Sequence, residues 1–176
     1  YSMPESEPWP ELQRLHAEQE ALGFYLTGHP ARVHRPDTKR FTTCPIGKLA
    51  KLVPRPEDGR RARGVDMVLA GLVRTIRRAN RSGRFVTIED HTGRLEVALF
   101  DEAFGRYADL LGKDEMVVVE GKVSADDFSG GYRMSATRVL SLGEAKARFA
   151  RGVRISLRGP EERLEELLCS AFAPYR

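Results

Sequence analysis

Residues 67–140 read MVLAGLVRTIRRANRSGRFVTIEDHTGRLEVALFDEAFGRYADLLGKDEMVVVEGKVSADDFSGGYRMSATRVL. Within this stretch, apolar residues alternate with polar ones in short runs, and glycine-containing turns separate the runs. The alternation predicts β-strands at 67–76, at 85–89 and around Leu95, Val97 and Leu99. Residues 90–93 have the composition of a tight turn, so the second and third strands are expected to form an antiparallel hairpin.

One helical segment interrupts the strands. Asp101 is expected to cap this helix and Gly112 to end it, and its apolar face is formed by Phe104, Tyr107, Leu110 and Leu111. Further strands follow at 116–124 and 132–140, the first of them bent at Gly121. Five strands with a helix between the third and fourth predict a mainly β fold, a five-stranded barrel of the OB type.

The flanks of the barrel have a different character. A helix is predicted at 11–26 and a short one at 46–52, within a segment that is otherwise rich in proline and basic residues. One strand and one helix after residue 153 are too few to form a core alone, so they are expected to begin an α/β domain that this chain truncates. The expected order is linker, helix and basic connector (1–64), OB-fold domain (65–141), linker helix (142–152) and the start of the further domain (153–176).

The composition is that of a globular protein. Hydrophobic residues make up 41% and charged residues 31% of the 176 residues, which argues against a disordered or membrane-embedded chain. No apolar run is long enough to cross a bilayer, and no signal segment follows Tyr1, so we expect a cytoplasmic piece of a longer polypeptide. A formal net charge of +4 favours a polyanionic partner. Cys44 and Cys169 are far apart and predict two reduced thiols.

The sequence contains little that is arranged for catalysis. Asp126 and Asp127 are neighbours, so their side chains point apart on an extended backbone, and the glycines that follow are typical of a turn. The four histidines match no metal-ligand spacing with one another or with the cysteines. Phosphate-binding loops, dinucleotide fingerprints and nucleophile elbows are also lacking. We therefore expect no catalytic residue, no metal site and no cofactor in this segment.

Basic and aromatic residues are arranged as in a nucleic-acid-binding barrel. OB barrels bind their ligands on strands two and three, between the loops that join strands one to two and four to five. Here the first loop is rich in arginine, the second carries aromatic residues, and Phe85 faces away from Val86 and Ile88. Cationic loops around aromatic rings suit single-stranded nucleic acid. The predicted interface consists of Arg77, Arg78, Arg81, Arg84, Phe85, Phe128, Tyr132 and Arg133.

Four phrases, taken in order, resemble one family. They are LGFYLTGHP (22–30), VTIEDHTGRLEVALF (86–100), VEGKVSADDFSGGYRMSATRV (119–139) and EAKARFARGVRISL (144–157). Together they are similar to the C-terminal region of the α subunits of bacterial DNA polymerase III, the C-family replicative polymerases, over nearly the whole chain. The resemblance implies a parent enzyme that is a DNA-directed DNA polymerase, a nucleotidyltransferase that uses Mg²⁺ and keeps its catalytic carboxylates outside this segment.

The resemblance also implies partners for the chain. The barrel would contact the single-stranded DNA template ahead of the active site, beside the rest of the polymerase α chain. The sliding clamp would bind a peptide that lies before Tyr1. Residues from Val153 onward would begin the domain that binds the clamp-loader τ subunit. No membrane contact is implied.

Two other interpretations stay open at this point. The barrel would be a structural scaffold, positioning the clamp-binding and τ-binding regions with little DNA contact, if Phe85 and Tyr132 close its ends and the arginines serve solubility. A tRNA-binding domain of a class II aminoacyl-tRNA synthetase would share the form of the hairpin phrase. The lack of class II synthetase motifs after the barrel argues against the second interpretation.

Overall fold

The computed structural model describes residues 8–55, 64–79, 83–126, 129–152, 168–170 and 173. Five strands form a closed barrel in which the order of neighbours is β1-β2-β3-β5-β4. All neighbouring pairs are antiparallel except β3 and β5, which are parallel. The strands are β1 (Val65–Arg78), β2 (Arg84–Asp90), β3 (Gly93–Leu99), β4 (Met116–Asp126) and β5 (Gly131–Ser141). The five-stranded OB barrel predicted from the sequence is confirmed.

Helices flank the barrel and interrupt it once. Before it lie α1 (Glu11–Leu22), α2 (Pro30–Val33), α3 (Arg35–Thr38) and a 3₁₀ helix at Ile46–Lys51. As predicted, α4 (Asp101–Tyr107) stands between β3 and β4, and the helix α5 (Leu142–Phe149) follows the last strand. None of the helices in these described ranges has the length and apolar character to traverse a lipid bilayer. The strand and most of the helix predicted after residue 153 lie outside the described residues.

The ends of α1 and α4 differ from the prediction, and α4 gives way to a 3₁₀ helix at Ala108–Leu110 instead of continuing to Gly112. α1 ends at Leu22 rather than at residue 26, because Gly23 adopts a left-handed conformation (φ 79°) and its N–H donates to the carbonyl of Gln19. Glycine takes this conformation without steric cost and therefore ends helices. At α4 the N-cap is Phe100, so Asp101 is the first helical residue and not the cap. Its carboxylate still suits the positive end of the helix dipole.

The interior of the barrel is filled by alternate residues of all five strands, as the period-two pattern requires. Leu69, Ile88 and Met134 are completely buried there. Two elements outside the sheet add to the same core: Ile46, Leu49 and Val53 of the connector pack near the β2–β3 turn, whereas Leu111, Phe104 and Tyr107 pack from the α4 side. The core is therefore completed at both ends of β2 by chain that is not part of the barrel.

A second apolar cluster lies on the outside of the barrel. Ala70, Val118 and Leu140 of β1, β4 and β5 are covered by Ala145 of α5, which is completely buried. The rings of Phe41 and Phe149 stack at 5.4 Å between centroids beside this cluster. Ion pairs join the same parts, from Lys146 to Asp37 (2.6 Å) and from Arg148 to Glu120 (2.6 Å). The connector and α5 thus cover the outer face of β1, β4 and β5 and leave the outer face of β2 and β3 around Phe85 open.

His29 joins the connector to the barrel, and His34 is half-buried nearby in the connector. The Nδ1 atom of His29 accepts the N–H of Ala31 and caps α2, while its Nε2 atom lies 3.5 Å from Glu89 of β2. Burial lowers the pKa of His29 below its ordinary value of 6.5, although the nearby Glu89 carboxylate acts in the opposite direction. Burial, together with Lys146, also lowers the pKa of His34. Both imidazoles are therefore favoured in the neutral form.

Gly121 offers a test of how tightly the barrel is closed. The β4–β5 register shifts between Glu120 and Gly121, and a Cβ atom at Gly121 would collide with the carbonyl oxygen of Ser135. We expect Gly121→Ala to lower the free energy of unfolding by about 1–3 kcal/mol, since a backbone atom must move. Gly143→Ala is the matched control, because nothing lies within 4 Å of that position in α5. It should leave stability unchanged or raise it by up to about 1 kcal/mol in urea titrations. Equal urea midpoints for the two variants would show that the close contact between Gly121 and Ser135 does not limit stability.

The two histidines predict a pH dependence of stability. Because their pKa values are lowered on folding, the unfolded chain binds more protons below about pH 6.5, and stability should fall as the pH drops from about 7.5 to about 5.5. Asp and Glu side chains titrate mainly below this window. The double variant His29→Asn/His34→Asn, which retains a capping side chain at position 29, should lose less stability over the same interval. Urea midpoints at both pH values measure this, and an identical drop in the variant would refute it.

Candidate nucleic-acid interface

Phe85 lies at the centre of the open outer face. It is half-buried on β2 and points away from Val86 and Ile88, which are buried in the barrel. Two guanidinium groups lie near its ring: Arg77 of β1 at 5.3 Å and Arg133 of β5 at 4.9 Å from the centroid. Both distances fit cation–π contacts. Three strands therefore bring together one aromatic ring and two cations that are remote in sequence.

Carboxylates share the two guanidinium groups with Phe85. Glu96 of β3 pairs with Arg77 through one oxygen and with Arg133 through the other, the latter at 2.9 Å. Arg133 also lies 3.1 Å from Asp126 at the end of β4. The side chain of Arg77 is 64% exposed, whereas that of Glu96 is only 18% exposed. The charges around Phe85 are therefore balanced, and Arg77 is the cation most open to solvent.

The structure places other predicted interface residues apart from Phe85. Arg84 lies on the opposite side of β2, where it donates to Asp101 at 3.1 Å and sits 5.1 Å from the ring of Phe104. Tyr132 packs against the barrel core, with the Arg55 guanidinium 5.2 Å from its ring. Arg78 is exposed at the end of β1, next to the loop. Arg81 and Phe128 lie outside the described residues.

A second ionic cluster continues along the same face toward the β2–β3 turn. Glu89 lies 3.2 Å from Arg74 and 2.8 Å from Arg94, in addition to its approach to His29. Arg74 also pairs with Asp114, and its guanidinium lies 5.6 Å from the ring of Tyr25. The GHP segment thus packs against the barrel beside the open face. This cluster repeats the pattern around Phe85, in which arginines lie between a carboxylate and an aromatic ring.

Such an arrangement can exchange one anion for another. A guanidinium that pairs with a carboxylate presents the same fork of donors to a phosphate, so a polyanion can replace the carboxylate without rebuilding the face. Among residues 8–55, 64–79, 83–126, 129–152, 168–170 and 173, no three His, Cys, Asp or Glu side chains lie together as a metal site. The described face is therefore suited to reversible binding of anions and π systems.

Sequence reasoning missed the acidic members of this cluster. The alternation in β3 does place Glu96 outward, but only the register, in which Glu96 pairs with Arg133 across the parallel β3–β5 contact, makes it a neighbour of both cations. Asp126 was predicted to form a turn, and it does accept the hydroxyl of Ser129 at 2.6 Å. Its additional contact with Arg133 depends on a different register, that of the antiparallel β4–β5 pair. The charge pattern along β3 was the available signal for Glu96.

Comparison with known proteins identifies both the fold and the family. Residues 67–142 match the family described as OB-fold nucleic acid binding domain. The DNA polymerase III subunit alpha of Vibrio cholerae is 44% identical over 149 residues, which are 85% of this chain and 12% of that protein. For the protein of the same name from Escherichia coli K12, the values are 40% over 172 residues, 97% of this chain and 14% of that protein.

A solved structure of asparaginyl-tRNA synthetase from Pyrococcus horikoshii, complexed with asparaginyl-adenylate, is 29% identical, with a TM-score of 0.40, and the match covers 44% of this chain and 19% of the synthetase. The present chain spans only 12–14% of the length of the two polymerase subunits. The similarity to them continues beyond the barrel on both sides, to 97% of the chain. The chain therefore belongs to the bacterial DNA polymerase III α-subunit family, of which it contains the OB-fold domain and the segments that flank it.

Proposed function

We propose that this chain is the module of a replicative DNA polymerase that binds the single-stranded template. The observation that carries the proposal is the exposed guanidinium of Arg77, 5.3 Å from the Phe85 ring on the open face of β2. Single-strand-binding OB folds combine backbone-tracking cations with aromatic rings in this way. The match of residues 67–142 to OB-fold nucleic acid binding domains supports the same assignment.

Binding proceeds by exchange at Arg77. The incoming phosphate takes the place of Glu96, and because Arg77 is 64% exposed its side chain swings outward without disturbing the core. Arg133 is 32% exposed and is held by both Glu96 and Asp126, so it stays in place as the fixed cation of the site. Arg77 gains one contact with a phosphate and loses its ion pair with Glu96. The affinity for the nucleic acid depends on the salt concentration through counterion release.

The movement of Arg77 also uncovers Phe85. A base then stacks on the ring or on the guanidinium plane of Arg133, 4.9 Å from the ring centroid. Stacking of this kind contributes about 1–3 kcal/mol per base and tolerates any sequence. A template contact must accept every base in turn, so contacts that do not depend on base identity fit the role.

A structural scaffold is the alternative function. It is favoured by the packing of the connector and α5 on the outside of β1, β4 and β5, with Ala145 completely buried. A barrel held in this way would position the neighbouring regions that bind the sliding clamp and the clamp-loader τ subunit. In both versions the nucleotidyl transfer and its Mg²⁺ ions belong to other parts of the α chain, and the assembly works in the cytoplasm.

Arg77→Ala and Phe85→Leu test the template interface. We expect Arg77→Ala to weaken binding of a labelled oligothymidine of about 18 nucleotides and to reduce the salt slope by about one. Phe85→Leu keeps an apolar side chain and should weaken binding about tenfold, equivalent to about 1.4 kcal/mol of stacking. Fluorescence anisotropy between about 50 and 200 mM salt measures both.

Arg106→Ala is the matched control for Arg77→Ala. Arg106 is 68% exposed on α4, away from Phe85, and pairs loosely with Glu102 at 3.9 Å. Its removal should leave the affinity near that of the unaltered protein. The scaffold alternative predicts instead that affinity does not grow with oligonucleotide length and that Arg77→Ala behaves like Arg106→Ala, an outcome that would exclude the proposed interface.

Glu96→Gln should strengthen binding. Removing this carboxylate charge frees Arg77 for phosphate and leaves Arg133 paired with Asp126 alone, while an amide of the same shape remains. We expect a gain of about threefold to tenfold in oligonucleotide affinity and a steeper salt slope. Glu102→Gln removes the same charge from a side chain that is 91% exposed on α4 and serves as control. If both variants bind alike, Glu96 does not compete with DNA.

A further inference from the structure

A pocket of about 210 Å³ lies where the connector meets the barrel. Its lining comes from α2, α3 and the turn that follows, from Ala70 of β1 and Met116 of β4, and from the β2–β3 turn. Three basic side chains line the pocket, Arg35, Lys39 and Lys48. All three belong to residues that are exposed. The pocket lies beyond the far end of β2 from Phe85, so it is separate from the interface described above.

The positive charge in this pocket is unbalanced. Among the residues that the structure describes, none of the three cations is within ion-pair distance of a carboxylate, in contrast to Arg77 and Arg133. Asp90 is the one acidic residue of the lining. One of its oxygens accepts from Ile46 N–H at 3.0 Å, and the other accepts from the backbone and hydroxyl of Thr92 and from Gly93 N–H. Backbone donors therefore stabilise the Asp90 carboxylate, and the three cations are available to pair with an anionic ligand.

The pocket is also held in shape before any ligand binds. The Arg35 guanidinium lies 3.3 Å from His91 Nε2 and so bridges the connector to the β2–β3 turn. Across the same junction, Gly47 N–H donates to the Thr92 hydroxyl at 2.9 Å. The backbone around the pocket and Arg35 are therefore in place before an anion binds, which lowers the ordering cost of binding.

The half-buried Cys44 adds a neutral thiol to this lining. Burial raises the pKa of Cys44, and the nearby Asp90 carboxylate acts in the same direction. The thiol therefore contributes no negative charge to oppose an anion, and its low fraction of thiolate makes it a poor nucleophile. The chemistry of the pocket is that of binding and not of covalent reaction.

We propose that this pocket is a second anion site, which binds a phosphate group through Arg35, Lys39 and Lys48. The inference rests on the proposed function for its biological ligand, a phosphate of the same nucleic-acid strand that crosses Phe85. From Phe85 to Asp90 the strand β2 extends about 17 Å. A single strand that follows β2 to the pocket passes Glu89, whose charge is paired with Arg74 and Arg94. A strand held at two points has a defined path across the barrel.

The site is tested with a pocket variant, the double substitution Lys39→Ala/Lys48→Ala. The control is Lys113→Ala/Lys122→Ala, which removes the same charge from exposed lysines outside the pocket. In the first measurement, an oligothymidine of about 18 nucleotides should bind the pocket variant about fivefold more weakly, with a salt slope reduced by about one. In the second, inorganic phosphate at constant ionic strength should raise the melting temperature of the unaltered protein and of the control more than that of the pocket variant.

The two measurements distinguish the sources of the phosphate. If the pocket variant binds the oligonucleotide more weakly and the control does not, the site is assigned to a nucleic-acid strand. If the pocket variant loses only the stabilisation by inorganic phosphate, the site is assigned to a free phosphate. If the pocket variant matches the control in both, the second site is refuted. Failure of the proposed function is recognised separately, because Arg77→Ala and Phe85→Leu would then bind the oligonucleotide like the unaltered protein.

Discussion

The closure of the barrel by β1 is the constraint on which the rest of the structure depends. This strand pairs with β4 along its first half and with β2 along its second, so it must turn from one neighbour to the other within fourteen residues. A shift of register between Val73 and Thr75 accompanies the change. Beyond it, Arg77 is carried past the end of the β1–β4 pairing and onto the face of β2. The more exposed of the two cations beside Phe85 is therefore placed by the bend that closes the sheet.

Much of this architecture could be predicted from the sequence, because a period of two in apolar residues specifies both the strands and the side that each residue faces. Leu95, Val97 and Leu99 are buried as their alternation requires, and Phe85 faces outward. The end of α1 could not be placed in the same way. Leu26 continues the helical spacing, but the conformation of Gly23 ends the helix first and leaves Leu26 65% exposed. Spacing alone does not reveal which of two glycines, Gly23 or Gly28, adopts the left-handed conformation.

The candidate interface was harder to predict than the fold, since it depends on register between strands that are distant in sequence. Arginine content indicated a basic surface, yet Arg84 is turned toward Asp101 and Phe104 by the alternation of β2, whereas Arg133 reaches Phe85 from β5. The largest difference from the predicted interface is the presence of acidic partners beside the arginines. With Glu96 between two arginines, the face is a balanced network whose ions can be exchanged. Net charge, which is a sum over the whole chain, contains no information on such local pairing.

The contact between Phe41 and Phe149 has a consequence for the evolution of the chain. These residues lie on either side of the barrel in sequence, but their rings stack at 5.4 Å and the neighbouring Lys146 and Asp37 form an ion pair at 2.6 Å. The segments before and after the barrel thus contact each other, although β1 begins opposite Val123 and β5 ends opposite Val117 of β4. Domains whose ends are close together can be inserted into a host or removed from it with little disturbance of the rest. The barrel is therefore inserted between two segments that contact each other. A short turn that joins the connector directly to α5 would keep these segments together without the barrel.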